Sequence, residues 1–202
     1  MPLKLMKNAT SGTVIGRGIL GEGLYDTEVV KASTSTTTQR FFSNPLNSAD
    51  ASAVITAKNY GETNLQQSSQ IPKGQKFQVH GYNVKFIANT AGTPMTRTAA
   101  DKMILGSWAE FKISEILISR KVLQSIPFGA GQVITTTASN ITPFVTGESL
   151  VSNRVNLKMG NYNPTIESGE SFSFTLNWNT AISLDADIRV MVELHGLLIR
   201  PV

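Results

Sequence analysis

The stretch Val14-Ile15-Gly16-Arg17-Gly18-Ile19-Leu20-Gly21-Glu22-Gly23 sets Gly16, Gly18 and Gly21 at the G-x-G-x-x-G spacing that lets a backbone cradle a dinucleotide pyrophosphate. That chemistry needs a helix opening at the last glycine, and an acid about twenty residues on for the ribose. Neither follows. Residues between Thr27 and Thr38 have no helical periodicity, and positions 33 to 41 contain no Asp or Glu. The glycines therefore read as conformational freedom, and no cofactor is expected.

Other reactive residues are sparse. His80 and His195 each sit in a strand-like stretch, with no H-x-x-x-H, G-x-S-x-G or paired-carboxylate motif beside them. Gly147-Glu148-Ser149 lacks the second glycine of a nucleophile elbow. Asp185-Ala186-Asp187 offers two oxygen ligands where Ca²⁺ takes six or more, so it reads as a solvated hairpin tip. Without cysteine there is no disulfide, thiolate metal site or thiol nucleophile. No metal site, no catalytic set and no small-molecule substrate are expected. Trp108 and Trp178 have faces on which a sugar could stack, which keeps a carbohydrate- or receptor-binding module as the alternative function. Trp178, however, shares its parity with Phe172, Phe174 and Leu176, which favours core.

A chain of 202 residues is long enough for one sizeable core. Charged residues make up 16% of it, well below the usual quarter, while hydrophobic residues at 41% are ordinary. Such a surface is either largely covered by neighbours or carries the Thr and Ser of exposed strand faces. The net charge of +4 is spread thinly, with no basic block of the kind that marks a nucleic-acid tail. Neither a signal peptide nor a membrane-spanning apolar run is expected.

The elements that would position these residues read as strands. Phe77 and Val79 share one parity, and Tyr82, Val84 and Phe86 the other, so the phase flips across His80-Gly81. A one-residue slip turns a strand inside out unless a bulge absorbs it, which predicts one long strand, about 75 to 89, bulged or bent at Gly81. A second slip separates Phe111 and Ile113 from Ile116 and Ile118; either a turn or a bulge accounts for it. Phe172, Phe174, Leu176 and Trp178, then Ile188, Val190, Val192 and Leu194, define two alternating strands expected to form an antiparallel pair through 180 to 186. The helix signal is confined to Thr98-Ala99-Ala100-Asp101, which begins like a capping box, with Ala100, Met103 and Ile104 on one face and Gly106 as the stop. Frequent Pro and Gly turn signals between short strands predict a sandwich or jelly roll.

Three stretches carry a resemblance. Ile71-Pro72-Lys73-Gly74 with the strand through Phe86, the run from Ala100 to Gly131, and the close from Gly169 to Pro201 resemble the jelly-roll coat proteins of tailless icosahedral bacteriophages. The resemblance implies an all-β single jelly-roll β-sandwich with an extended N-terminal arm and one short helix: residues 1–35 the glycine- and threonine-rich arm, 36–202 the roll. It implies a capsid subunit that self-assembles into an icosahedral shell, either a single-roll coat subunit or a vertex protein. The partners are then other copies and other capsid proteins, and the location is the virion, assembled in the host cytoplasm. In this reading Ile15, Ile19, Leu20 and Leu24 of the arm bury on a neighbouring subunit. Lys4, Lys7 and Arg17 make a weak, salt-sensitive contact with genome or internal membrane. The expected core is Phe77, Val79, Val84, Phe86, Phe172, Phe174, Leu176, Trp178, Val190, Val192 and Leu194.

Overall fold

The computed structural model describes residues 6–7, 14–15, 17–20, 23–88, 95–126, 132–137, 140–145, 155–157 and 163–201. In chain order come β1 (Met6–Lys7), β2 (Val14–Ile15), β3 (Arg17–Leu20), β4 (Leu24–Val30), β5 (Thr36–Phe41), β6 (Lys76–Ala88) and β7 (Met95–Thr96). Helix α1 (Arg97–Ile104) leads into β8 (Ser107–Ile113), β9 (Ile116–Val122), a single 3₁₀ turn (Leu123–Ser125), β10 (Gln132–Thr137) and β11 (Asn140–Val145). The short β12 (Val155–Asn156) and β13 (Thr165–Ile166) precede the long β14 (Phe172–Ile182) and β15 (Ile188–Pro201).

These strands build two antiparallel sheets facing each other across one core. Sheet one runs β12-β6-β15-β3, with β13 also against β6 and β4 also against β15. Sheet two runs β5-β14-β8-β9. Two small ribbons, β1-β2 and β10-β11-β7, complete the strand pairing. The alternation seen in the sequence decides which faces meet. All eleven expected core residues are buried, with Trp178, at 4% exposure, the least so. Edge-to-face packing spans the sandwich, Tyr82 of sheet one lying 5.0 Å from Phe174 of sheet two, and Phe174 in turn 6.1 Å from Phe41. Each such side chain removed from water contributes about 1.5–3 kcal/mol.

The long strand forms where the phase flip predicted. Facing β15, β6 keeps one register down to His195 opposite Gly81 and resumes with Gly196 opposite Val79, so His80 is the extra residue of a bulge. Between β8 and β9 both explanations of the slip hold. Ser114 and Glu115 have φ of 46° and 67°, the two left-handed residues of a tight hairpin turn, and a second bulge follows between Phe111 and Lys112.

Three expectations need correction. First, β14 and β15 do not pair with each other; they lie in opposite sheets, and 183–187 cross between them. Alternation identifies the dry face of each strand but not its hydrogen-bonding partner, and both faces point at the same core. Second, the helix starts two residues early: Thr96 is its N-cap, its hydroxyl accepting from the Ala99 N–H at 3.1 Å. Gly106, at φ +66°, ends the turn as expected. Third, the segment assigned to the arm enters the sheet. Leu20 pairs with Leu198 and Leu24 with Leu194, so β3 and β4 follow one unbroken register along β15. Arg17–Leu20 and Leu24–Val30 therefore lie in sheet one beside β15 rather than in a tail outside it.

Candidate assembly surface

Among the described residues, the sandwich closes one of its sheet edges and leaves another without a pairing strand. Along β4, the free edge is covered by the loop that follows β5. Thr63 bridges to Asp26, Asn64 donates its N–H to the Tyr25 carbonyl, and the Asn64 side chain both accepts from the Tyr25 N–H and donates to the Gly23 carbonyl. An edge covered in this way cannot pair with another chain.

Beneath that loop lies a buried charge cluster. Asp26 and Glu28 stand opposite Val192 and Val190, on the face of β4 that looks into the sandwich. Lys58 reaches them from the loop, its Nζ 2.7 Å from Asp26 Oδ1 and 2.6 Å from Glu28 Oε1, and all three side chains are fully buried. The Phe42 N–H donates to Asp26 Oδ2, Asn44 to Glu28 Oε1, and the Ala51 N–H to Glu28 Oε2. Burial pushes the Asp26 carboxyl up to about 6 despite the attraction of Lys58. Nearby, Asp50 ties the loop together, accepting from Ile55 and Val29 N–H groups.

On the far side, β9 ends sheet two, and among the described residues it pairs only with β8. Its exposure is unusual for a strand: Ile116 is 67%, Val122 57% and Leu117 43% exposed. Val122 stands opposite Trp108, whose indole N–H donates to Glu110 at 2.9 Å. Arg120 Nε lies 2.8 Å from the same carboxylate, and Lys112 Nζ 3.6 Å away. The Trp108 hydrogen bond, with the two cations, holds Glu110 below the usual carboxylate range. The result is an apolar edge strand that, among the described residues, pairs on one side only, beside a fixed ion cluster, the arrangement that strand addition and face-to-face association use.

A cleft of about 220 Å³ opens between the 60–75 loop and the end of sheet one. Tyr60, Asn64, Gln66, Gln70 and Arg200 are among its lining residues, and Tyr60 is 68% exposed.

The remaining sequence candidates fall as follows. Leu24, expected on a neighbour, is buried in its own core. Lys4 lies outside the described residues, as do the side chains of Lys7, Ile15, Arg17, Ile19 and Leu20; the backbones of Ile19 and Leu20 pair with Ile199 and Leu198. His80 sits in the bulge 3.4 Å from Gln78 Oε1, and His195 Nε2 lies 3.9 Å from Glu193. Asp187 accepts the Ala32 N–H, while Asp185 lies 3.9 Å from Lys102. Gly147-Glu148-Ser149 lies outside the described residues. Trp178 is core, its indole N–H donating to the Met103 carbonyl. Ile116, Leu117 and Val122 were not expected to form an exposed edge, although apolar residues at both parities of one strand were the available signal. Asp26 and Glu28 also had one, two acids interrupting the even-numbered apolar face between Leu24 and Val30. Lys58 had none.

The fold and surface define a two-sheet, antiparallel β-sandwich in which, among the described residues, the β4 edge is covered by a loop and the β9 edge pairs only with β8. No protein-family model, curated protein or solved structure matches this chain.

Proposed function

We propose that this chain is a viral structural protein, a single-jelly-roll capsid subunit that self-assembles into an icosahedral shell. Support for the roll comes from strand order. Counting β4, β5, β6, β8, β9, β12, β14 and β15 as first to eighth, one sheet runs first, eighth, third, sixth, and the other second, seventh, fourth, fifth. Two interlocked Greek keys give that order. The observation that carries the function is the open β9 edge with Ile116, Leu117 and Val122 exposed, since a shell subunit works through complementary faces rather than a pocket. Its partners are further copies and other capsid proteins, its place is the virion, and the basic residues near the N-terminus make a weak contact with genome or membrane. Electron microscopy and light scattering of the purified protein test this: rings, pentamers, trimers or shells are expected, and a clean monomer at high concentration counts against it.

A second reading, a carbohydrate- or receptor-binding module, is favoured by the cleft, where exposed Tyr60 stands among amide side chains. Glycan-array binding that Tyr60→Ala abolishes would select it over the first.

A further inference from the structure

Lys58, Asp26 and Glu28 are drawn together from two different parts of the chain and sealed from water. A plain ion pair needs one carboxylate, yet this amine has two, each within 2.7 Å, and each held by further donors. We propose that Lys58 and Asp26 condense into an intramolecular isopeptide bond, with Glu28 carrying the proton, so that the 42–65 loop is covalently fastened to the edge strand it covers. The inference is independent of the capsid reading.

The chemistry balances within the cluster. Lys58 as ammonium and Asp26 as carboxylate become amine and carboxylic acid by moving one proton across the 2.7 Å from Nζ to Oδ1, a transfer that the desolvation of the Asp26 carboxylate favours. The raised Asp26 carboxyl reflects the same desolvation. The Nζ lone pair then attacks Cγ, and negative charge develops on Oδ2, which already accepts the Phe42 N–H at 2.7 Å. Glu28 Oε1, 2.6 Å from Nζ, takes a proton from the nitrogen of the adduct and returns it to the Oδ1 hydroxyl. The C–Oδ1 bond breaks, water leaves, and an amide remains, with Glu28 again ionised. No oxidant, reductant or other reactant enters. Asn44 and the Ala51 N–H hold Glu28 in place, and fixing amine and carboxyl in contact supplies the effective concentration a solution reaction lacks.

Intact-mass measurement of the folded full chain tests the proposal. The expected mass is one water below that of the sequence, and trypsin should yield a branched peptide joining residues 18–31 to 41–73, uncut after Lys58. Lys58→Arg should restore the full mass. Asp26→Asn should lose ammonia in place of water and give the same branched connection, a result that no purely ionic cluster produces. Glu28→Gln, shown to be folded by circular dichroism, should keep the full mass; condensation persisting in it would overturn the role given to Glu28. Folded wild-type protein at full mass, with cleavage after Lys58, would overturn the bond itself.

Discussion

Gly196 of β15 lies so close to Gln78 of β6 that an added Cβ would meet the Gln78 carbonyl oxygen at 2.1 Å and the Phe77 ring at 2.8 Å. This contact occurs where β6 bulges. Backbone cannot yield there as a flexible side chain would, so Gly196→Ala should destabilise the protein by about 3 kcal/mol or more, at or beyond the upper end of overpacking costs. Urea denaturation measures it. Deleting the bulge residue His80 should be tolerated, because it brings Phe77, Val79, Tyr82, Val84 and Phe86 onto one parity. Deleting Lys85 should not, since it puts Phe86 on the opposite face from Tyr82 and Val84. Thermal melts of the two deletions compare them directly; equal loss in both would remove the bulge argument.

Truncation separates the N-terminal segments. Removing residues 1–13 spares β3 and β4, and the melting temperature should stay within a few degrees. Removing residues 1–30 takes away Leu24, Val30 and both carboxylates that Lys58 meets, leaving a buried charge unpaired. Loss of a partner in a buried pair costs about 3–5 kcal/mol before lost packing is added. That chain should be insoluble or unfolded by circular dichroism; a folded product would return residues 17–30 to the status of a dispensable arm.

How much of this was legible in the sequence depended on how far away the deciding partner lay. The β6 bulge was readable because the phase flip and its glycine are adjacent, and the eleven expected core residues followed from local alternation; loop residues such as Phe42, Leu65 and Ile71, buried in the same core, did not. The β14 and β15 partners were not, because strand faces are encoded locally and strand neighbours are not. Glycine around residues 16–23 suggested a tether. The place of Arg17–Leu20 in a sheet is set by β15, far along the chain, with Leu198 fixing the register. Lys58 sits in a stretch without periodicity, so nothing near it announced that it would neutralise two acids on another segment.

Trp178 joins sheet two to the helix. Its indole N–H donates to the Met103 carbonyl at 3.1 Å, near the C-terminal end of α1. Trp178→Phe keeps most of the buried ring and strands that carbonyl, so a loss of about 1–3 kcal/mol is expected. Trp178→Ala adds a cavity and should cost about 3–5 kcal/mol. Denaturant titration of both variants separates the hydrogen bond from the packing; a Trp178→Phe variant as stable as the parent would mean the bond contributes nothing.

Two carboxylates set the acid limb of stability. The Trp108 hydrogen bond with Arg120 and Lys112 lowers Glu110; for Glu193, burial pushes upward but is outweighed by Lys85 at 2.9 Å. A group whose folded pKa is depressed contributes stability present above its ordinary value of 4.5 and lost as pH falls through the folded one. Unfolding midpoints should therefore fall on acidification below about pH 4.5. Glu110→Gln combined with Glu193→Gln should flatten that limb; an unchanged slope would assign acid sensitivity to other groups.

The open edge supplies the sharpest test of self-association. Ile116 and Val122 lie at opposite ends of β9, both more exposed than buried, and neither belongs to the core cluster. Replacing each with Lys adds charge where a neighbouring strand or apolar face would dock, which is how natural edge strands are kept from pairing. Such surface changes usually alter stability by no more than about 0.5 kcal/mol, so the double variant should melt like the parent. Its expected difference is in size, sedimenting as a monomer at concentrations where the parent forms higher oligomers. If both sediment alike as oligomers, association uses a different face, and the outer surface around Trp108, Glu110 and Arg120 becomes the next to mutate.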